Sequence, residues 1–171
     1  MFEIPLIVVN GVGTCGKDTF INFCKEITKC YNYSTIDYYK KLAKEYFGWD
    51  EVKDEKGRKL LSDLKIASII YNNMPMKLLE AEYNKICNEE NENIFFCVCR
   101  DIQDIEYIKA NYKNAYTLLI KNDNVPNITS NDGDANVFNY NYDYIIENNG
   151  TLEELKDKAR DFLSMMLNRI Y

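Results

Sequence analysis

The apolar run Pro5-Leu6-Ile7-Val8-Val9, followed one residue later by Gly11-Val12-Gly13-Thr14-Cys15-Gly16-Lys17-Asp18-Thr19, decides how this chain is read. A short continuous apolar run rich in β-branched residues predicts a strand buried on both faces. The glycines that follow fit the spacing G-x-x-x-x-G-K. Glycines let a backbone fold tightly and bring its N–H groups against phosphate oxygens, and a helix N-terminus adds partial positive charge. Lys17 would supply a mobile full charge for the β- and γ-phosphates of a nucleotide. From Thr19 to Lys29 the residues Phe20, Phe23, Cys24 and Ile27 fall at i, i+3, i+4 and i+7, the stripe of an amphipathic helix. Strand, glycine loop and helix in this order predict a phosphate-binding loop over Gly11, Val12, Gly13, Thr14, Cys15, Gly16, Lys17, Asp18 and Thr19; a glycine-rich turn serving geometry alone is the competing reading. Asp18 stands where a Ser or Thr hydroxyl normally goes to magnesium. The Asp18 carboxylate and the Thr19 hydroxyl are therefore both candidate magnesium ligands, with Asp18 as a helix cap the third reading.

Outward from this loop, Tyr31 to Ile36 reads as a second strand that Asp37 closes, and Tyr38 to Phe47 as a helix ending at Gly48. A charged stretch, Glu51 to Lys59, leads into a helical pattern through Leu60, Leu61, Leu64, Ile66, Ile69 and Ile70. Met76 to Asn88 forms the next, with Pro75 near its first turn. Ile94 to Cys99 is a buried strand ended by Arg100-Asp101, after which Asp101 or Asp104 is placed to cap a helix carrying Ile105 and Ile108. Ala115 to Ile120 and Tyr142 to Glu147 complete the strands. Between them Lys121 to Asn139 is a long polar loop, of the length that is usually functional or disordered. Thr151 and Glu154 form a Thr-x-x-Glu capping box before a last helix, Leu152 to Leu167. Strands alternating with helices predict a three-layer α/β fold, a five-stranded parallel sheet with helices on both faces, in one domain over 1–171.

Composition removes several classes of function. The 171 residues carry 21 Lys and Arg against 27 Asp and Glu, a net charge of −6, and no histidine. Ser-His-Asp and Cys-His catalysis, an imidazole base and His-ligated zinc are all excluded. The acidic balance speaks against broad nucleic-acid binding, which draws its affinity from Lys and Arg. No apolar run approaches a membrane span and the start lacks a signal-peptide layout, so a cytoplasmic protein is expected. The six cysteines contain no Cys-x-x-Cys pair and read as buried small hydrophobes rather than a metal site or disulfides.

Gly16-Lys17-Asp18-Thr19 resembles the variant phosphate loop of phage-type deoxynucleoside monophosphate kinases and of the related animal-type phosphomevalonate kinases. The segment Lys53 to Lys65 resembles their substrate-side segment. Arg100-Asp101-Ile102 resembles their Arg–acidic turn, and Tyr142 to Asn148 with Gly150-Thr151-Leu152 their closing strand and helix. The similarity spans nearly the whole chain, and the phosphate loop is its specific part. It implies a P-loop kinase fold and phosphoryl transfer dependent on ATP and magnesium to a small phosphate acceptor, with an acceptor-binding insertion over about 38–90 and a lid over about 121–139.

An acceptor that is itself phosphorylated calls for arginine, whose fork binds phosphate bidentately. Of the four arginines, Arg160 and Arg169 lie on the last helix and read as solvated. Arg100 sits at the carboxyl end of a strand, where open α/β sheets bind ligands; it reads as an acceptor-phosphate and catalytic residue beside Lys17, or as an ion pair with Asp101 or Asp104. Arg58 and Asp37 are the further acceptor candidates, against an exposed helix start and a strand-end turn. Tyr38, Tyr39 and Trp49 read as core or rim aromatics, or as a stacking surface for a base. The expected lid holds one basic residue, Lys121, beside Asp123, Asp132 and Asp134, which suits slow turnover or a nucleotide-binding module without catalysis. Asp54-Glu55-Lys56-Gly57 matches the D-x-x-G of GTPases, but no buried strand precedes it and no Asn-Lys-x-Asp exists in the chain.

Overall fold

The computed structural model describes residues 3–52, 54–125 and 136–168. Five parallel strands, β1 (Leu6–Asn10), β2 (Cys30–Ser34), β3 (Ile94–Val98), β4 (Ala115–Lys121) and β5 (Tyr144–Glu147), form one sheet in the order β2-β3-β1-β4-β5. β1 lies at the centre, with Leu6 in register with Phe95 of β3 and Ala115 of β4. All five of its residues are buried, as its unbroken apolar sequence requires.

Among the described residues six helices connect and cover the strands: α1 (Lys17–Ile27), α2 (Asp37–Phe47), α3 (Glu55–Asn72), α4 (Met74–Glu89), α5 (Ile102–Asn111) and α6 (Leu152–Leu167). α1 and α6 pack together on one face, where the Phe162 ring meets Phe20 and Tyr144 edge-on at 5.8 and 5.7 Å. On the other face Tyr83 of α4 lies edge-on to Phe95 and to Tyr112, which follows α5, each at 5.3 Å, and its hydroxyl donates to the Ile4 carbonyl at 2.7 Å. Right-handed crossovers give this division: the chain leaves β1 toward β2 over one face and leaves β3 toward β4 over the other. The two departures open a crevice at the carboxyl ends of β1 and β3, the switch point at which such sheets bind ligands. A smaller apolar cluster of Tyr39, Ala43 and Leu61, with Trp49 and Leu64 against it, joins α2 to α3.

Local chemistry explains where the elements differ from their sequence expectations. α1 starts two residues before Thr19 because Gly16, at φ 102°, turns the chain directly into the helix. α3 starts at Glu55 rather than at Leu60: the Asp54 carboxylate accepts from the Gly57 N–H at 2.7 Å, so the charged stretch is a capped first turn. This also disposes of the D-x-x-G match, whose two ends form that cap. α3 and α4 are separated by Asn73 in the left-handed conformation and by Pro75 in the first turn of α4. β2 stops at Ser34 and α2 begins at Asp37 itself. The capping box of α6 forms as expected, with Thr151 and Glu154 bonded reciprocally at 3.2 and 2.8 Å. All six cysteines are buried thiols. No described helix is long and apolar enough to cross a membrane.

β5 starts at Tyr144, two residues after the expected Tyr142; the two preceding side chains bond outside the β4–β5 ladder. The Tyr142 hydroxyl donates to the Val137 carbonyl at 2.7 Å. Asp143 accepts from Lys109 at 2.8 Å and from the Thr117 N–H and hydroxyl at 2.8 and 3.0 Å, stitching the start of β5 to β4 and α5. Partial burial pushes the Asp143 carboxyl up, but these donors outweigh it and hold it below its ordinary value. The stabilisation is therefore complete above the unfolded-state value of about 4 and is lost as pH falls through the lower native one. Asp143→Asn is expected to cost about 1–2 kcal/mol at pH 7, with the difference from wild type shrinking below about pH 4, as measured by urea unfolding across that range.

Candidate active site at the carboxyl ends of β1 and β3

The loop from β1 to α1 is built on two positions that admit no side chain. Gly11 has φ 148° and Gly16 has φ 102°. A Cβ on Gly11 would stand 2.4 Å from the Ile120 carbonyl oxygen and 2.6 Å from Cys15 Sγ, and one on Gly16 would stand 2.3 Å from Asn148 Nδ2. Thr14, also at positive φ, donates to the Gly13 carbonyl at 2.6 Å, and the Cys15 N–H closes a turn onto Val12. Asn148, directly after β5, donates to the Cys15 carbonyl at 2.9 Å and pins the loop from the far side of the sheet.

Lys17, the first residue of α1, folds back across this loop. Its Nζ donates to the Gly11 and Val12 carbonyls at 2.6 and 2.7 Å and lies 3.6 Å from Cys15 Sγ, with only 7% of the residue exposed. Burial lowers its pKa below the ordinary lysine value, and the charge of Arg100 adds to the drop. Lys17 and Arg100 are thus brought into each other's field at the switch point.

Asn10, the last residue of β1, is the hub between the loop and the Arg100 turn. It is fully buried, and its Oδ1 accepts from the Gly11 N–H at 2.7 Å. Its Nδ2 donates to the Tyr142 hydroxyl at 2.7 Å and reaches the Arg100 carbonyl at 3.5 Å. Arg100 itself is half-buried, in the turn between β3 and α5. The neighbouring carboxylates are taken by a lysine from α3: Lys65 Nζ contacts Asp101 at 2.8 Å and Asp104 at 2.6 Å. Asp101 stands at the N-cap position of α5 without making a side-chain cap. Burial pulls the Lys65 ammonium down, but the Cys99 thiol and the two carboxylates more than offset it and leave it raised.

The remaining candidates lie around this centre. Asp18 is exposed in the first turn of α1 and does not cap it, since Gly16 is the N-cap, and Thr19 beside it is half-buried. Among the described residues no group of three or more Cys, Asp or Glu side chains stands ready for a metal. Asp37 is exposed at the start of α2 and pairs with Lys40 at 2.6 Å. Arg58 is exposed in the first turn of α3, two turns and about 10 Å along the same face from Lys65. Tyr39 is core, not a stacking surface: it is 1% exposed and its hydroxyl bonds to Ser68 at 2.5 Å. Trp49 packs against that cluster and donates to the Val52 carbonyl at 3.0 Å, while Tyr38 is 40% exposed. Arg160 pairs with Asp157 on the exposed side of α6, and Arg169 lies outside the described residues. In the expected lid, Lys121 ends β4 and pairs with Asp123 at 2.9 Å, and Val137–Asn139 is a short 3-10 turn. Residues 126–135, with Asp132 and Asp134, lie outside the described residues.

Sequence reading left Asn10 and Lys65 without roles. A polar residue closing an apolar strand immediately before the loop was a signal for Asn10. For Lys65 the hints are its place at the end of the segment Lys53 to Lys65 and its i, i+7 spacing from Arg58.

No protein-family model matches the chain, and no curated protein matches it. Among solved structures it is similar to a dephospho-CoA kinase from Campylobacter jejuni, with a TM-score of 0.53 and 13% identity over 95% of this chain and 97% of that one. It is likewise similar to an unliganded sugar kinase from Janibacter sp. HTCC2649, with a TM-score of 0.51 and 13% identity over 97% of this chain and 98% of that one. At this identity the likeness is one of fold: a parallel sheet in the order β2-β3-β1-β4-β5 between helices, matching P-loop kinase structures.

The loop geometry is open to a stability test. Gly48 also has a positive φ, 65°, but a Cβ there meets nothing within 4 Å. Gly48→Ala should cost about 1 kcal/mol, and Gly11→Ala about 3 kcal/mol or more because backbone strain and a backbone clash add, both read from urea midpoints.

Proposed function

We propose that the chain transfers the γ-phosphoryl of ATP to a small phosphorylated acceptor, in the first place a nucleoside or deoxynucleoside monophosphate. The observation that carries this reading is the glycine loop at the switch point, with Lys17 folded onto its carbonyls and the Arg100 turn joined to it through Asn10. The fold it shares with solved kinases supports it.

In this reading the backbone N–H groups of 13–17 and the start of α1 hold the donor phosphates. Lys17 exchanges its two loop carbonyls for phosphate oxygens and neutralises charge that develops on them. Thr19 or Asp18 takes a magnesium ion, which supplies charge neutralisation when bound with the nucleotide. Arg100 orients the acceptor phosphate, Arg58 approaches from the same face of α3 as Lys65, and Asp37 accepts a hydrogen bond from an acceptor hydroxyl. The segment 38–90 forms the acceptor side and 121–139 the lid. No protein base is required, because an acceptor phosphate oxygen is already a nucleophile and catalysis is positioning with electrostatics. This agrees with a chain that has no histidine.

A second reading, a nucleotide-binding module without catalysis, is favoured by Lys121: the only basic residue of 121–139 is engaged by Asp123. An ADP-release assay over a panel of monophosphates separates the two. Transfer to at least one acceptor is expected, with kcat/KM falling about 100-fold or more in Lys17→Ala. Full turnover in that variant sinks the site, and ATP binding without transfer to any acceptor hands the chain to the second reading.

A further inference from the structure

We infer that Lys65 is a positioning residue, a strut by which α3 holds the Arg100 turn in place for the acceptor; this rests on the kinase reading above. The turn between β3 and α5 is anchored toward the donor loop by the Cys99 N–H on the Val9 carbonyl at 3.2 Å and by Asn10 at the Arg100 carbonyl. On its other side the anchor is Lys65, bound to Asp101 next to Arg100 and to Asp104 one turn into α5. The side chains of Lys65 and Asp104 are only 10% and 8% exposed, so the pair is shielded from water and from salt, whereas Asp101 is 51% exposed.

Two features separate this arrangement from a generic ion pair. Asp101 occupies an N-cap position, where a carboxylate by type accepts from the helix N–H groups, yet its oxygen goes to Lys65 and the helix start is left without a side-chain cap. A local preference set aside at the edge of a site marks a geometric requirement. The turn also carries Arg100, whose placement depends on how firmly the backbone beneath it is held. Lys65 supplies that hold from the helix whose first turn presents Arg58 on the same face. Acceptor-side residues on α3 and Arg100 on the β3–α5 turn thereby move as one body.

Removing Lys65 alone strands two carboxylates, and Lys65→Met is expected to lower stability for that reason. Lys65→Met/Asp104→Leu removes the buried pair together and keeps a packed fold. In this double variant the acceptor KM should rise about tenfold or more while the ATP KM stays within about twofold. Amide hydrogen exchange should accelerate about tenfold across 99–105 and stay unchanged across 6–16, and Lys65→Arg should recover most of the acceptor KM. Equal changes in both KM values, or an acceptor KM like wild type, overturn the strut. If the wild-type chain phosphorylates no acceptor, the kinase reading fails by itself. Exchange then decides: unchanged protection across 99–105 overturns the strut, and selective loss there upholds it.

Discussion

One buried amide at the end of β1 ties the site together. Asn10 has no access to water, so each of its polar atoms must find a partner inside the protein, and they find three: the first N–H of the glycine loop, the Tyr142 hydroxyl before β5, and the carbonyl of the Arg100 turn. Each partner belongs to a different connection of the sheet. Their positions are therefore fixed relative to one another by a single side chain whose bonds cannot be traded for water without opening the core. The loop, the Arg100 turn and the approach to β5 inherit their geometry from that constraint.

Around this hub the charges are arranged against the average of the chain. The protein is acidic overall, with a net charge of −6, yet the crevice between β1 and β3 brings Lys17 and Arg100 together. Lys17 is kept from water and rests on loop carbonyls, and the charge of Arg100 lowers its pKa further. A fold tolerates such an arrangement when the surrounding structure over-determines it. Here the glycine loop, the Asn148 bond and the Lys65 cluster do so from three sides.

Much of this was legible in sequence because it rests on local rules. The apolar run of β1, the glycine spacing and the Thr-x-x-Glu box each encode their own geometry, and all three appear where expected. Expectations shifted where one side chain redirected the backbone. Asp54 capped a helix earlier than apolar periodicity places it, and the bonds of Tyr142 to Val137 and of Asp143 to Thr117 stand where β5 was expected to begin. Contacts between distant segments were not legible. The separations of 36 and 39 residues joining Lys65 to Asp101 and Asp104, and of 132 joining Asn10 to Tyr142, leave no pattern in the chain because only the tertiary fold brings them together.

The six buried thiols carry a consequence for the chemistry of the intact molecule. Burial raises the pKa of Cys24 and Cys97, and pushes Cys30 and Cys99 up to about 12, far from the thiolate form in which cysteine reacts. Cys97 and Cys99 stand at the end of β3, Cys24 on the buried side of α1, and Cys30 at the start of an edge strand. Alkylation of these positions is thus gated by opening of the structure rather than by reagent strength. In a mild oxidant these four thiols stay protected in the folded protein, and the order in which they become modified records which parts of the sheet let water in first.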